Sequence, residues 1–446
     1  MKIIRTTAMN DETVRRLLTK KAFDEVELAP KIAAKNRELF GENLTAAQLV
    51  QRIVGDVRAE GDAALLRYTQ LIDGVECSAD ELLVREEEYL AAAKEADPEV
   101  LASLKKAAAN VRRYHEEQKG KSWLTYRDHG SILGQALIPL DRVGIYVPGG
   151  TAAYPSSVIM NATPAKVAGV GEIIMAVPPK NGKINPYVLL AAKEVGVDKI
   201  YKMGGAQAIA AMAFGTATVP RVDKITGPGN IFVTLAKKEV YGHVDIDMLA
   251  GPSEILIIAD KTADPILTAA DMLSQAEHDV LASAILITDS EDLAEAVAAE
   301  VTAQLAQLPR REIATASVEN NGLIIVTRDI PEAVKLANIS APEHLEVLTE
   351  NPWSLLPNIK HAGAVFLGNY SPEPLGDYWA GPNHVLPTGG TARFYSVLNV
   401  ETFMKRTSII AYSAQALQDA SGDIIRLAEA EGLTAHAQAI RRRVSF

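Results

Sequence analysis

Cysteine is nearly absent from this chain of 446 residues, in which Cys77 is the single example. One thiol cannot form an internal disulfide, and metal sites built from several cysteines are excluded by the count. Any metal ion must therefore be held by nitrogen and oxygen atoms. Acidic residues flank Cys77 in GVECSAD, and they raise a thiol pKa, whereas a reactive thiolate needs an electropositive setting. We interpret Cys77 as structural or incidental.

The chain also lacks an excess of positive charge and long apolar segments. It has 56 acidic and 45 basic residues, for a net charge of -11, and its longest basic run is Arg441 to Arg443. Nucleic-acid binding needs a large positive surface, so this composition favours a small-molecule partner. No apolar run approaches the ~18 residues of a membrane span, and MKIIRTTAMN lacks the apolar core of a signal peptide. We expect a cytoplasmic protein with neither nucleic-acid nor membrane partners.

The usual nucleotide-binding fingerprints are missing as well. The glycine-containing stretches VPGGTAAYPSS (147–157), MGGAQAIAA (203–211) and TGPGNIFVT (226–234) match neither G-x-G-x-x-G nor the Walker pattern. A glycine pair between a strand and a helix still exposes backbone N–H groups to an anion. Taken singly, each stretch is better explained as a tight turn between a strand and a helix.

What the chain does contain is typical of a folded globular protein of several domains. Hydrophobic residues make up 48% and charged residues 23%, and the length predicts roughly two to four domains. Residues 45–118 carry apolar residues at helical spacing, and from 132 onward short β-like runs alternate with Ala-rich helical stretches. A second alternating series starts near 254. The pattern predicts an α/β fold with two mostly parallel sheets, divided near 251–253.

Possible ligands and acid/base groups concentrate in a few places. LSQAEHD (273–279) puts Gln275 and His278 on one helical face. Spacing alone favours a solvated helix surface there, because glutamine is not a usual zinc ligand. The irregular segment 369–396 holds Asp377 and His384, and long irregular segments are more often functional than idle.

Glu343 and His344 follow Pro342 in APEHLEV, which predicts a turn or the start of a helix. One interpretation is a charged helix N-terminus, where the dipole favours a carboxylate. The other is a paired general base and proton relay, since histidine titrates near neutral pH and burial brings glutamate there. Periodicity does not choose between them.

Several stretches together resemble the histidinol dehydrogenase family. They occur in the family's order, span about 140 to 436, and have unusual compositions that make the match specific. They are DRVGIYVPGGTAAYPSSVIMNATPAKVAGV, KMGGAQAIAA, DKITGPGNIFV, AGPSE, LSQAEHD, APEHLE, GDYWAGPNHVLPTGGTARF and EGLTAHA.

The resemblance implies a role for particular residues, and no departure occurs at the matched positions. His344 would be the general base, and Glu343 would activate water. One Zn²⁺ per subunit would be held by Gln275, His278, Asp377 and, from the partner subunit of a homodimer, His436. NAD would be held by Tyr146, Gln207 and Asn230. The substrate would contact Ser253, Gln275, His278, His344, Asp377, Glu431 and His436, with Glu431 also supplied by the partner subunit.

The implied reaction oxidises L-histidinol to L-histidine with two NAD+, the last step of histidine biosynthesis. It passes through L-histidinal, which is hydrated before the second hydride leaves. The expected architecture is two Rossmann-like parallel-sheet domains with small helical N- and C-terminal extensions used in dimerisation. The predicted division is an N-terminal extension (1–26), a first, discontinuous domain with the zinc and catalytic residues (27–144 and 254–397), a second domain on the NAD side (145–253), and a C-terminal extension contacting the partner (398–446).

Two other interpretations stay open. A non-catalytic protein could use the same pocket to bind an imidazole-bearing amino acid or a metal, and it would form no NADH. A family relative could act on a different alcohol. The intact set of polar residues disfavours the relative, because a site built for several polar contacts rejects analogues that lack them.

Overall fold

The structure, a computed structural model, describes residues 1–20, 34, 36–38, 40–42, 44–149 and 153–444. The strands in these residues are β1 (Lys2–Arg5), β2 (Trp123–Tyr126), β3 (Ile132–Pro139), β4 (Arg142–Tyr146), β5 (Glu172–Val177), β6 (Lys199–Lys202), β7 (Lys224–Thr226), β8 (Asp245–Ile246), β9 (Glu254–Ala259), β10 (Ser283–Thr288), β11 (Leu323–Val326), β12 (His344–Leu348), β13 (Ala364–Leu367) and β14 (Met404–Ala411).

The helices with described bounds alternate with the strands over most of the chain. They are α1 (Asp11–Leu18), α2 (Ala46–Glu60), α3 (Asp62–Tyr68), α4 (Ala79–Leu82), α5 (Glu86–Glu95), α6 (Pro98–Glu116), α7 (Pro155–Ala168), α8 (Pro186–Val195), α9 (Gly205–Phe214), α10 (Ile231–Val240), α11 (Pro265–Ala276), α12 (Glu291–Leu305), α13 (Arg311–Asn321), α14 (Ile330–Ser340), α15 (Glu373–Tyr378), α16 (Ala414–Ala430) and α17 (Thr434–Val444).

A six-stranded parallel sheet has the order β1-β11-β10-β9-β12-β13. Its inner strands, such as EILIIA and SAILIT, are apolar or β-branched after their first residue, and every residue of both is buried. Such strands need helices on both faces. Residues of α11, α12 and α13 form the core on one face, and residues of α1 and α14 form it on the other.

A five-stranded parallel sheet has the order β6-β5-β4-β7-β8. Helices α7 and α8 contribute to the core on one face, and α2, α9 and α10 contribute to the core on the other. The predicted α/β fold with two parallel sheets is confirmed.

Residues 46–116 pack on the five-stranded sheet. The apolar stripe of α2, which includes Leu49, Ile53 and Val57, is buried in the same core as β5 and β6, and α5 and α6 join the core on the opposite face. The predicted division instead groups these residues with 254–397. Likewise β1, predicted to lie in an extension, pairs with β11 in the six-stranded sheet. Residues 21–26 lie outside the described residues, and the division itself stays a prediction.

A third, antiparallel sheet of order β14-β3-β2 and the helices α16 and α17 form what we call the C-terminal arm. The two helices pack on each other, but Ala428 and Ala437 are their only buried residues. Large apolar side chains of the arm are exposed, including Ile410 at 74% and Leu427 at 67%. The arm therefore presents apolar surface that this chain leaves in solvent.

Two further expectations concern membrane-spanning segments and the single cysteine. No helix in the described ranges is long and apolar enough to cross a bilayer. Cys77 is half-buried, and burial is the largest cause of its raised pKa, with the charge of Glu81 adding to it. The thiol is therefore protonated at neutral pH, in agreement with a structural or incidental role.

Candidate active site

The predicted catalytic residues and all predicted metal ligands except His436 lie at the edge of the six-stranded sheet where its strands begin, which we call the amino edge. Glu254 and His344 are the first residues of the neighbouring strands β9 and β12. Helix α11 runs back from the opposite edge, so Gln275, in its last turn, and His278, in the turn that follows, reach the amino edge. Asp377 arrives on α15.

His344 is held in one tautomer. Its Nδ1 donates to the backbone carbonyl oxygen of Glu254 at 3.0 Å. Its Nε2 is buried without a hydrogen-bond partner among the described residues and lies 3.9 Å from Asp377 Oδ1. Burial lowers the pKa of the ring to about 4. With Nδ1 carrying the proton, Nε2 holds a lone pair at neutral pH and can accept a proton from a reacting group.

Glu343 is buried beside this ring. Its Oε2 accepts the backbone N–H of Glu254 at 2.9 Å and lies 3.8 Å from His344 Nδ1. Burial raises the pKa of Glu343 well above its usual value, and the negative charges of Glu254, Asp377 and Glu373 act in the same direction. A carboxyl group in this environment exchanges a proton nearer neutral pH, as a general base must.

The interpretation of Glu343 and His344 as a helix N-terminus is wrong. Helix α14 ends at Ser340, and His344 opens a strand whose five residues are all buried. Burial of all five residues of HLEVL and pairing with β9 and β13 identify a central parallel strand covered on both faces. The pair is therefore an internal feature of the sheet edge and not a solvated helix start.

One cluster in the described residues has the composition of a metal site. Ligand atoms of His278, Glu373 and Asp377 lie within 4.8 Å of one another. Burial raises the pKa of Glu373 to about 8 and that of Asp377 to about 6. In the described part of the chain, the basic groups within 4 Å of Asp377 are the histidines His344 and His384. A bound cation would favour the charged forms of these carboxylates.

Gln275 is fully buried, and neither Oε1 nor Nε2 of its amide has a hydrogen-bond partner among the described residues. The prediction of a solvated surface from spacing alone is therefore wrong. An unpaired buried polar group costs about 1–3 kcal/mol, so this amide fits a site that is completed by a ligand or metal. The amide oxygen of Gln275 can coordinate a cation.

Glu373 was not among the predicted residues. It lies four positions before Asp377 on α15, so the two carboxylates share a helix face. Its Oε2 accepts the hydroxyl of Ser274 at 3.0 Å, and its backbone N–H donates to Glu346 Oε1 at 2.7 Å. The spacing of two acids in PEPLGDYW was the available signal.

Two neighbouring residues complete the surroundings. Ser253 is half-buried directly before β9, and its carbonyl oxygen accepts the N–H of Ser283 at 3.1 Å. His384 Nδ1 donates to the backbone oxygen of Asp377 at 3.1 Å, and its Nε2 lies 3.4 Å from Ser157 Oγ. His384 thus connects α15 with α7, which follows β4 of the other sheet.

Glu431 and His436 are placed elsewhere in this chain. Glu431 caps the C-terminus of α16, His436 lies on α17, and both are exposed on the C-terminal arm. Neither belongs to the cluster of His278, Glu373 and Asp377. One chain therefore does not assemble the predicted four-ligand set, and the partner's contribution stays a prediction.

The predicted NAD residues lie at the edge of the five-stranded sheet where its strands end, which we call the carboxyl edge. Tyr146 ends β4, and its hydroxyl oxygen accepts the N–H of Gly205, the first residue of α9, at 3.1 Å. Gln207 follows in α9; its Nε2 donates to Asp73 at 3.1 Å, and its Oε1 is buried without a partner among the described residues. Asn230 caps the N-terminus of α10.

Glycine is required in one of these turns. Gly227 has φ +111°, and a Cβ there would lie 2.1 Å from the carbonyl oxygen of Tyr146. The TGPGN turn can therefore pack directly against the end of β4 only without a side chain. Residues 150–152 of the first glycine-containing stretch lie outside the described residues.

A comparison with protein-family models matches residues 37–444 to the model described as histidinol dehydrogenase. The chain belongs to the histidinol dehydrogenase family. It is 59% identical to the histidinol dehydrogenase of Heliobacterium mobile over 396 residues, which cover 89% of this chain and 93% of that one. It is 56% identical to the histidinol dehydrogenase of Bacillus subtilis over 395 residues, covering 88% and 92%.

The fold agrees with a solved member of this family. The crystal structure of histidinol dehydrogenase from Elizabethkingia anophelis matches with a TM-score of 0.91 at 36% identity, over 100% of this chain and 98% of that one. Membership in the histidinol dehydrogenase family makes the chain an oxidoreductase. The family implies NAD and a metal ion, and the cluster at the amino edge is the group that could hold the metal.

Proposed function

We propose that this member of the histidinol dehydrogenase family oxidises L-histidinol to L-histidine through L-histidinal, with two NAD+, as the last step of histidine biosynthesis. The observation that carries the proposal is the convergence, at one sheet edge, of a buried histidine whose Nε2 has no partner among the described residues, a buried carboxyl group and a cluster that could hold a cation. Each of these groups matches a need of alcohol and aldehyde oxidation.

The donor set fits a zinc ion. Nitrogen from His278 and oxygen from Asp377 are ordinary zinc donors, and the unpartnered amide of Gln275 offers a further oxygen. We infer that these three residues bind one Zn²⁺ per subunit, with His436 of the partner subunit as the fourth ligand. Zn²⁺ held there would supply a Lewis acid for orienting the imidazole and amine of the substrate. Glu373 is a further candidate ligand beside this set.

The chain's own residues then transfer the protons. His344 accepts the proton of the substrate alcohol at Nε2, and the proton on Nδ1 keeps the ring aimed by its bond to the Glu254 carbonyl. Glu343 removes a proton from the water that hydrates the aldehyde, because its carboxylate is a stronger base than an exposed one. Ser253, His344 and, from the partner subunit, Glu431 contact the substrate.

NAD supplies the hydride acceptor, and we infer that Tyr146, Gln207 and Asn230 bind it. Their position at the carboxyl ends of β4 and before α9 and α10 supports this, since ligands of open parallel sheets bind there and helix N-termini favour phosphate. In the proposed division, residues 145–253 form the NAD side, and the zinc and catalytic residues belong to the discontinuous domain of 27–144 and 254–397.

We further infer a homodimer with shared active sites. The exposed apolar surface of the C-terminal arm and the exposure of Glu431 and His436 on that arm support exchange of the arm between subunits. A cytoplasmic location is also part of the proposal, and the single cysteine is compatible with a reducing compartment.

The proposal is tested by incubating the purified zinc-loaded protein with L-histidinol and NAD+ and identifying the product by mass spectrometry. L-histidine should form, and a primary amino alcohol without the imidazole should react far more slowly. If the amino alcohol is oxidised equally well, the substrate assignment is wrong. Binding of L-histidinol without any NADH would favour a non-catalytic binding protein.

A further inference from the structure

Glu254 occupies a position from which it contacts both proposed catalytic residues at once. Its backbone N–H donates to Glu343 Oε2 at 2.9 Å, and its backbone carbonyl oxygen accepts from His344 Nδ1 at 3.0 Å. The orientation of the two side chains relative to each other is therefore set by one peptide segment at the start of β9. A shift of Glu254 would move both partners of the proposed proton chemistry.

The side chain of Glu254 is anchored in turn. It is nearly fully buried, its Oε1 accepts the N–H of Gly389 at 2.9 Å, and its Oε2 lies 3.3 Å from Lys20 Nζ. A buried carboxylate needs such partners, because removing an ion from water costs several kcal/mol unless it is paired and hydrogen-bonded. Four atoms of Glu254, two of the backbone and two of the carboxylate, therefore have a polar partner.

Lys20 comes from the N-terminal part of the chain, just after α1. Its Nζ also donates to Ser283 Oγ at 2.7 Å, and Ser283 is the residue of β10 that pairs with Glu254 in the sheet register. One ammonium group therefore connects the starts of β9 and β10. The sequence assigns no role to this lysine.

We propose that Glu254 and Lys20 are positioning residues for the reaction, with Lys20 fixing the carboxylate of Glu254 and Glu254 fixing Glu343 and His344 through its backbone. The proposal rests on the catalytic roles proposed above for that pair. Neither residue needs to touch the substrate. Their contribution is the alignment of the proton acceptors, for which a misplacement near 1 Å can cost roughly a hundredfold in rate.

Four variants separate positioning from folding. Lys20→Met removes the cation, Lys20→Arg keeps it, Glu254→Gln keeps an acceptor for Gly389 but removes the charge, and the double variant Lys20→Met/Glu254→Gln removes both. Lys166→Met is the matched control. Lys166, on α7, and Asp198, directly before β6, belong to the region of the five-stranded sheet, and Lys166 Nζ lies 3.0 Å from the Asp198 carboxylate. The side chains of Lys166 and Lys20 are similarly exposed, at 24% and 22%.

The measurements are kcat with L-histidinol, KM for NAD+, zinc content and the thermal midpoint. Lys20→Met and Glu254→Gln should lower kcat by roughly ten- to a hundredfold, with KM for NAD+ and zinc content unchanged. Lys20→Arg should recover most of the rate. The double variant should be no slower than the slower single one, since both act through one contact. Rates like that of the Lys166→Met control, or losses that track zinc content, would overturn the proposal.

A second readout does not depend on activity. With ¹⁵N-labelled histidine, the Nδ1–H resonance of His344, assigned by its absence in His344→Ala, should exchange slowly in the native protein and become broadened in Lys20→Met. An unchanged resonance would contradict positioning even if the rate falls. If the native protein forms no NADH from L-histidinol yet the resonance collapses in Lys20→Met, the assigned reaction fails and the positioning role stands.

Discussion

The two parallel sheets place their candidate binding residues at opposite edges. In the five-stranded sheet, Tyr146 and Asn230 lie where strands end and helices begin. In the six-stranded sheet, Glu254 and His344 lie where strands begin. The first arrangement follows the general rule that ligands of open α/β sheets bind beyond the carboxyl ends of the strands. The second arrangement departs from that rule.

The chemistry of the two edges differs accordingly. The carboxyl edge offers backbone N–H groups and the neutral side chains of Tyr146, Gln207 and Asn230, which suit a phosphate-bearing cofactor. The amino edge concentrates buried acids, and burial raises the pKa of Glu343, Glu373 and Asp377. Such a group of acids is stable only with protons or a cation. The proposed NAD site therefore follows from the fold, whereas the proposed metal site depends on a particular set of side chains.

The largest expected effect is the loss of metal from the amino edge. A residue that merely supports a ligand is worth about 10- to 100-fold in metal affinity, so removing a ligand in His278→Ala should exceed about a hundredfold and abolish turnover. NAD+ binding at the other edge should be retained. Zinc content after dialysis and NAD+ titration by calorimetry measure both, with His361→Ala as a control. Normal zinc content in His278→Ala would exclude it as a ligand.

His344→Ala should remove the base while leaving the metal in place. Because a positioned general base contributes about 10²–10⁴-fold, kcat should fall by that factor with unchanged zinc content and KM for NAD+. Steady-state kinetics and metal analysis on the same preparation make the test. Turnover within twofold of the native protein would mean that another group accepts the proton.

Sharing of the amino-edge site between subunits can be tested by complementation. Glu343→Ala and His436→Ala chains should each be inactive alone, but each mixed dimer should hold one intact site and one doubly altered site. With random exchange of chains, roughly a quarter of the native activity should return. Native mass spectrometry confirms that mixed dimers form. If they form and remain inactive, His436 does not act across the interface.

The pKa of Glu343 predicts a pH dependence. Its pKa is raised above the usual 4.5, chiefly by burial and further by Glu254, Asp377 and Glu373. The carboxylate that activates water is therefore lost as pH falls through a value above 4.5, and oxidation of L-histidinal should decline on that acidic side. In Glu343→Gln the rate should be low, and this decline at acidic pH should be absent. If the variant shows the same decline at acidic pH, the titration of another group causes the decline.

The smallest effect is expected at the carboxyl edge. Tyr146→Phe removes the acceptor for the Gly205 N–H, and one neutral hydrogen bond is worth about 1 kcal/mol, or roughly fivefold in affinity. KM for NAD+ should rise by that factor while zinc content and the pH profile stay unchanged. A change in zinc content would show that the two edges are not independent.

The extent to which the sequence predicts this molecule also differs between the two edges. Alternating β-like and Ala-rich segments predict both sheets, and glycine turns before helices indicate the carboxyl edge. The functional residues of the amino edge could be predicted only from the resemblance to the histidinol dehydrogenase family. Spacing placed Gln275 on a solvated surface because helical periodicity does not report burial by distant segments. Pro342 indicated a turn or the start of a helix, and it did not indicate the buried strand that begins at His344. Contacts such as that of Lys20 with Glu254 join residues too distant in sequence for any local pattern.

The most direct test of the account is the number of NADH molecules formed for each L-histidinol consumed. Absorbance measures NADH and chromatography measures the substrate remaining in the same zinc-loaded sample. The account predicts two, because Glu343 hydrates the aldehyde before it leaves the site and a second hydride follows. A ratio of one, with L-histidinal accumulating in solution, would contradict the four-electron reaction and the role of Glu343.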